Sequence, residues 1–377
     1  MKKRNLFGWF AMVAMVIGTS CSSDEVVNDY SADNAIQFGT YVGRDAQTRG
    51  SVLNNDLTNG LPTQGFGVFA YYTGTEPFSD TKHTDPNFMK NTKVTSTNAT
   101  DWIYTPVKYW PNNTGDKVSF FAYAPHSSSY SLNGSNLTFT VNQTVKEQID
   151  LTWNGSATKT TDMTKQTTTD KVKFEFKHAL SKVGFKVQAA TDEITVGSNV
   201  LDKNTVINVK RVILSATPVE YTAPSTYTTS SVFTKTATLN LNNFNTDVAS
   251  WSDRKGDQYY TLTEENFKVK QLTNINSNLD NQLNADDSYL FILPQNLSST
   301  GFNVFVEYEV VTTDPADGNP DSNTITNRIN NTAKINFESG KAYTLNLVLG
   351  MTSVKLNVDI KDWQEQTETK VDLPLNK

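Results

Sequence analysis

Cysteine is almost missing from this chain: Cys21 is the only one in 377 residues. A lone cysteine excludes an internal disulfide and any zinc site built on paired thiolates. Histidine is nearly as scarce. His83, His126 and His178 stand far apart, and no two have the spacing of a zinc-protease helix. Basic residues are outnumbered 33 to 39, which leaves a net charge of −6 and a pI near 5.2. Phosphate recognition draws on clustered Lys and Arg, so nucleic acid is not an expected partner. Long apolar runs are also lacking. The longest, Leu6 to Ile17, has twelve residues, short of the roughly 20 that a membrane-spanning helix needs.

Catalytic signatures are missing too. There is no G-x-S-x-G elbow, and Gly340-Lys341 lacks both the upstream glycine and the following Ser or Thr of a phosphate loop. The acidic stretch Asp314 to Asp321 lacks the sixth-position Gly and twelfth-position Glu of an EF-hand, and reads as a turn. No carboxylate spacing singles out an acid–base pair. The expectation is a protein that is not an enzyme, with no cofactor and no metal. His178 follows a strand pattern and reads as a hydrogen-bonded structural residue. Trp102, Tyr104, Tyr109, Trp110 and Trp153 are candidates for stacking on sugars, against a plainer role in packing.

Asn, Thr and Ser fill much of the composition: hydrophobic residues make up only 37% and charged residues 19%, while aromatics reach 11%. Thr and aromatics suit pleated, half-buried strands, and Asn and Ser suit turns. Strand-like segments recur along the chain, many alternating with period 2, while 118–123 is apolar enough to be buried on both faces. They include 36–42, 66–72, 102–104, 118–123, 137–141, 172–176, 183–187, 205–214, 236–241, 289–293, 302–311, 343–349 and 354–360. Asn, Gly and Ser clusters separate them, and no amphipathic helix of ordinary length is visible. Many short strands between turn signals predict β-sandwich domains.

The N-terminus reads as an export signal. Lys2, Lys3 and Arg4 precede the apolar run, and the small residues Gly18, Thr19 and Ser20 lead into Cys21. That position marks Cys21 as the expected lipidated residue, although Gly18 stands where Leu is usual. Ser22 to Glu25 resembles the acidic signal that sends lipoproteins to the outer face of the outer membrane.

Six stretches, in order, resemble the fimbrillin family of type V pilus subunits, its Mfa-like branch especially. They are 102–111, 118–125, 174–183, 291–295, 340–347 and 358–363. The resemblance implies an all-β chain of two tandem transthyretin-like (Greek-key) β-sandwiches. It also implies export as a lipoprotein, removal of an N-terminal strand by an Arg-specific or trypsin-like protease, and filling of the emptied groove by a strand from another subunit. Carried onto this sequence, residues 1–21 are the signal peptide and 22–49 a propeptide holding the expelled strand, with Ile36, Phe38, Thr40 and Val42 at alternate positions. Cleavage is expected between Arg49 and Gly50, with Arg44 as the second choice. Residues 50–178 and 179–377 are the two expected domains, with a Thr-rich loop at 158–170 as an easily nicked junction. Past Trp363 the tail 364–377 looks like a donor strand with Val371, Leu373 and Leu375 inward, and is expected to lie outside its own sandwich. Pro374 departs from that pattern, because it lacks the N–H that a central strand uses. The implied partners are other fimbrial subunits, and the outer membrane through the lipid anchor. The alternative is a surface lipoprotein that never polymerises and binds host or bacterial glycans.

Overall fold

The structure is a computed structural model. It describes residues 34–42, 57–168, 171–189, 195–196, 199–200, 205–263, 271–272, 281–282, 289–314, 321–350, 352–363 and 368–371. Strands dominate, as expected. Helix among the described residues amounts to the single turn Leu61–Gln64, the 3-10 turn Val145–Glu147 and a 3-10 residue at Asn34.

The first half is built on a seven-stranded sheet. Its members are β1 (Phe38–Val42), β2 (Phe66–Gly74), β3 (Met89–Ser96), β4 (Trp102–Ile103), β5 (Lys117–Ala124), β8 (Thr152–Asn154) and β9 (Val172–His178), in the order β1-β9-β8-β5-β2-β3-β4. β6 (Leu132–Asn133) and β7 (Asn136–Thr140) leave this sheet for another. Successive residues of a strand point to opposite faces. In β2 and β5 both faces are covered, which explains their nearly unbroken apolar sequences. Phe66, Val68, Phe120 and Ala122 enter one core with Phe174 and Phe176. Phe69, Tyr71, Phe121 and Tyr123 enter a second, on the other side of the same strands.

The second half is a sandwich over a third core. One layer pairs β10 (Ser181–Ala189) with Lys341–Leu349, which in turn pairs with Val354–Asp362. The other layer runs Tyr260–Thr263, Thr205–Ser215, Phe302–Asp314 and Asp321–Ala333. Val183, Phe185, Leu345 and Leu347 of the first layer pack with Val212, Leu214, Val304 and Val306 of the second.

The expected division between residues 178 and 179 is bridged in two ways. β7 pairs antiparallel with Phe233–Asn240, from Thr140↔Thr236 to Asn136↔Asn240. The second core also draws on both halves, with Trp153 and Phe139 beside Leu239, Phe291 and Trp363. The Thr-rich stretch, described over 158–168, is a loop of turns and bends, as expected, with one isolated bridge between Val118 and Met163. It lies along β5: Phe120 N donates to Thr160 O at 2.8 Å, and Val118 N to Met163 O at 2.8 Å. Thr160 also donates its hydroxyl to Phe120 O at 2.7 Å, and Thr160, Thr164 and Thr168 are buried.

Buried phenols make the fold sensitive to alkali. Burial pushes the Tyr123 and Tyr308 hydroxyls from 10 up to about 12. An unfolded chain releases these protons near pH 10. Between pH 10 and 12 the folded state therefore holds more protons than the unfolded one, and stability falls as pH rises. Urea midpoints are expected to show no loss from these groups below pH 10 and a steep loss from pH 10 to 12. Tyr123→Phe is expected to flatten part of that loss.

Candidate strand-exchange site

The segment 34–42 is held at three places before it joins the sheet. Ile36 N donates to Lys108 O at 2.9 Å, and Trp110 N donates to Asn34 O at 3.0 Å. The Tyr104 hydroxyl donates to Ile36 O at 2.8 Å. The chain then joins the sheet. Val172 N donates to Gln37 O at 2.8 Å, and β1 runs parallel to β9 with Phe38 opposite Val172 and Val42 opposite Phe176.

Alternation decides what is buried. Ile36 and Phe38 are each 1% exposed, Gln37 is exposed and Thr40 is half-buried. Phe38 sits in an aromatic nest, 5.6 Å from the Phe174 ring in a stacked arrangement, 5.2 Å from Tyr104, 6.0 Å from Phe120 and 6.2 Å from Phe66. Burying Ile36 and Phe38 contributes about 1.5–3 kcal/mol each. Yet among the described residues β1 is the outermost strand of its sheet, paired with β9 alone. Removing it breaks no interior ladder. It uncovers the backbone edge of β9 and a groove walled by Phe66, Tyr104, Phe120 and Phe174.

The tail differs from its expected placement. Glu368–Val371 pairs antiparallel with Val354–Asp362, Val371 opposite Val358 and Glu368 opposite Lys361. This part of the tail is an edge strand of its own sheet, not a segment outside it. The physical reason is the edge: without it, Val358–Lys361 would present unpaired N–H and C=O groups. Cys21, Arg44, Arg49, Gly50, Leu373 and Leu375 lie outside the described residues, and Val42 and Val371 are placed by backbone pairing alone.

The aromatics considered for sugar stacking are otherwise engaged. Trp102, Trp110 and Trp153 are buried, and Tyr104 and Tyr109 are half-buried. Sequence reasoning missed that Tyr104 pins the β1 segment. The Tyr-x4-Tyr-Trp spacing placed it near Trp110 but carried no sign of the partner carbonyl at Ile36. His178 is the structural residue expected. Its Nδ1 lies 3.0 and 2.9 Å from the two Asp150 carboxylate oxygens, and its ring stacks on Trp363 at 4.0 Å. No group of metal-ligating side chains occurs among the described residues.

Three solved structures are among those to which the chain is similar. A candidate cell adhesion protein from Bacteroides uniformis is 15% identical, with 88% of this chain and 98% of that chain covered and a TM-score of 0.42. One from Bacteroides ovatus is 15% identical over 88% and 99%, with a TM-score of 0.44. A fimbrial assembly protein from Parabacteroides distasonis is 11% identical over 89% and 98%, with a TM-score of 0.40. No curated protein matches the chain. The family model for fimbrillin-like proteins, by contrast, matches residues 48–363, most of the chain, and with that the protein belongs to the fimbrillin-like family.

Proposed function

We propose that the protein is a structural or accessory subunit of a cell-surface fimbria, made as a lipoprotein precursor and assembled by strand exchange. Its role is adhesive and non-enzymatic. In this reading Cys21 carries the lipid that anchors the precursor in the outer membrane, and Ser22 to Glu25 direct it to the outer face. A trypsin-like protease cuts between Arg49 and Gly50, or after Arg44, and β1 leaves with the propeptide. Another subunit then supplies a strand to the groove, main-chain bonds giving affinity and alternate side chains giving register. The partners are other copies of this chain or accessory subunits. Each half is then one of two tandem transthyretin-like sandwiches.

The observation that carries the reading is the position of β1. An edge strand, β1, with Phe38 buried in it and Ile36 buried just before it, lies upstream of Arg44 and Arg49 in a chain of the fimbrillin-like family. N-terminal sequencing of the protein taken from surface fibres tests it. The expected first residue is Gly50, or Asp45 if Arg44 is cut. Fibre protein that still begins at Cys21 sinks the strand-exchange reading and favours a non-polymerising surface binder. Cys21→Ser is expected to abolish fatty-acid labelling and leave the precursor unprocessed. Undiminished palmitate incorporation in that variant removes the lipoprotein step.

A further inference from the structure

A cleft of about 790 Å³ opens where the two halves meet. Small-ligand sites typically occupy about 300–1,000 Å³. The cleft shares no residue with the walls around Phe38. It is lined by Lys177 of the first half and by Trp251, Arg254, Gln295, Asn336 and Glu338 of the second.

Its charges cancel. Lys177 pairs with Asp247 at 2.7 Å, and Lys341 pairs with Asp362. Arg254 and Glu338 complete three cations and three carboxylates on the lining, and Arg254 makes no ion pair among the described residues. A balanced lining holds no field to collect a polyanion or polycation. The ligand it suits is neutral and polar.

Two features say what kind of neutral ligand. The first is a flat amphipathic ring: Trp251 lines the cleft half-buried, its Nε1 donating to Ala179 O at 3.0 Å, which fixes the indole. The second is donor capacity on the lining. The Gln295 side-chain oxygen accepts from Thr234 N at 3.0 Å and its nitrogen is sealed from the cleft, so the donors that a ligand meets are those of Arg254 and Asn296. Asn296, also on the lining, uses its side-chain oxygen on Ser298 and has amide hydrogens to donate. Apolar ring faces combined with many hydroxyls, each both donor and acceptor, are the chemistry of sugars.

We propose that this cleft binds a neutral oligosaccharide, with a sugar ring on Trp251 and hydroxyls on Asn296 and Arg254. The proposal goes beyond strand exchange and does not rest on it. A fimbrial subunit carrying such a cleft grips a glycan directly.

The test uses the full unprocessed chain and calorimetry with hexaoses of cellulose, xylan, mannan and starch type, plus sialyllactose as an acidic probe. At least one neutral hexaose is expected to bind at millimolar concentration or below. Arg254→Ala and Asn296→Ala are each expected to weaken it about tenfold or more. Trp251→Ala is expected to abolish binding; because Trp251 also packs on the second core, the two polar variants keep the test valid if that protein misfolds. Tyr104→Phe, at the β1 site, is expected to leave binding unchanged. No binding by any neutral hexaose, binding by sialyllactose alone, or equal binding by the Arg254→Ala/Asn296→Ala double variant overturns the proposal. The trypsin ladder described below is untouched by these variants, so the two readings fail separately.

Discussion

Trypsin treatment of the purified precursor is expected to convert monomers into a ladder of oligomers that resists mild detergent, and Arg49→Ala is expected to stop it. The expectation follows from the edge position of β1. While the segment 34–42 stays in place, Ile36 and Phe38 fill the groove and β9 keeps its partner. Cutting after Arg49 leaves that segment held by one parallel ladder and a few contacts at 104–110, with no covalent link to the domain. Its loss exposes apolar walls and a free strand edge, a combination unstable until filled. Head-to-tail filling does not close on itself, so it yields fibres. The donor expected here is a neighbour's tail, 364–377. Within one subunit, Glu368–Val371 already pairs with Val354–Asp362, so the tail has to leave one edge to fill another groove. Deletion of 364–377 removes one edge strand, Glu368–Val371, and no interior ladder among the described residues, so it is expected to leave a folded, secreted protein that forms no ladder. A ladder from the deleted protein would exclude the tail as donor. Ladder formation by a variant lacking both Arg44 and Arg49 would exclude cleavage at either residue.

Phe38→Ala is expected to destabilise the precursor by about 3–5 kcal/mol, the usual cost of removing a fully buried phenylalanine. Phe38 touches four other aromatic rings, so the space it leaves has several rigid walls and collapses poorly. For a domain of about 150–250 residues each kcal/mol moves Tm by about 2–4 °C, so calorimetry should show a large drop. Gln37→Ala, on the exposed face of the same segment, is expected to change Tm little. The discriminating comparison is in assembled fibres. If β1 is expelled, Phe38 is absent from the mature subunit, and fibres from Phe38→Ala precursor should melt with wild-type fibres. A persistent Tm difference between the two fibre samples would show that β1 stays in the groove.

The strands most visible in sequence were those whose side chains alternate between core and solvent. Val172, Phe174 and Phe176 are buried between Lys173, Glu175 and Lys177, and that pattern is legible one residue at a time. Met89–Ser96, Ser250–Gln258 and Asp321–Ala333 were not read as strands. Their sequences are mostly Asn, Thr, Ser, Asp and Lys, so no apolar period marks them. They are strands because a neighbour offers backbone partners. Asp321–Ala333 takes its whole length from thirteen pairings with Phe302–Asp314. The candidate site divides in the same way. The alternation of Ile36 and Phe38 was legible, as was the arginine downstream. That β1 is an edge strand, and that Tyr104 pins it, was not.

The amino-acid sequence by itself determined the all-β class, the positions of the apolar strands and the family resemblance. These rest on local patterning and on short motifs. Only the tertiary structure decided that β2 and β5 separate two cores, that β7 crosses into a sheet of the second half, that Glu368–Val371 returns to its own sheet, and that a charge-balanced cleft forms at the junction. Each of these depends on which strand lies beside which. Partners such as Asn136 and Asn240 are about a hundred residues apart, and backbone hydrogen bonding, being the same for every residue type, leaves no mark in the sequence to say which distant strand it will join.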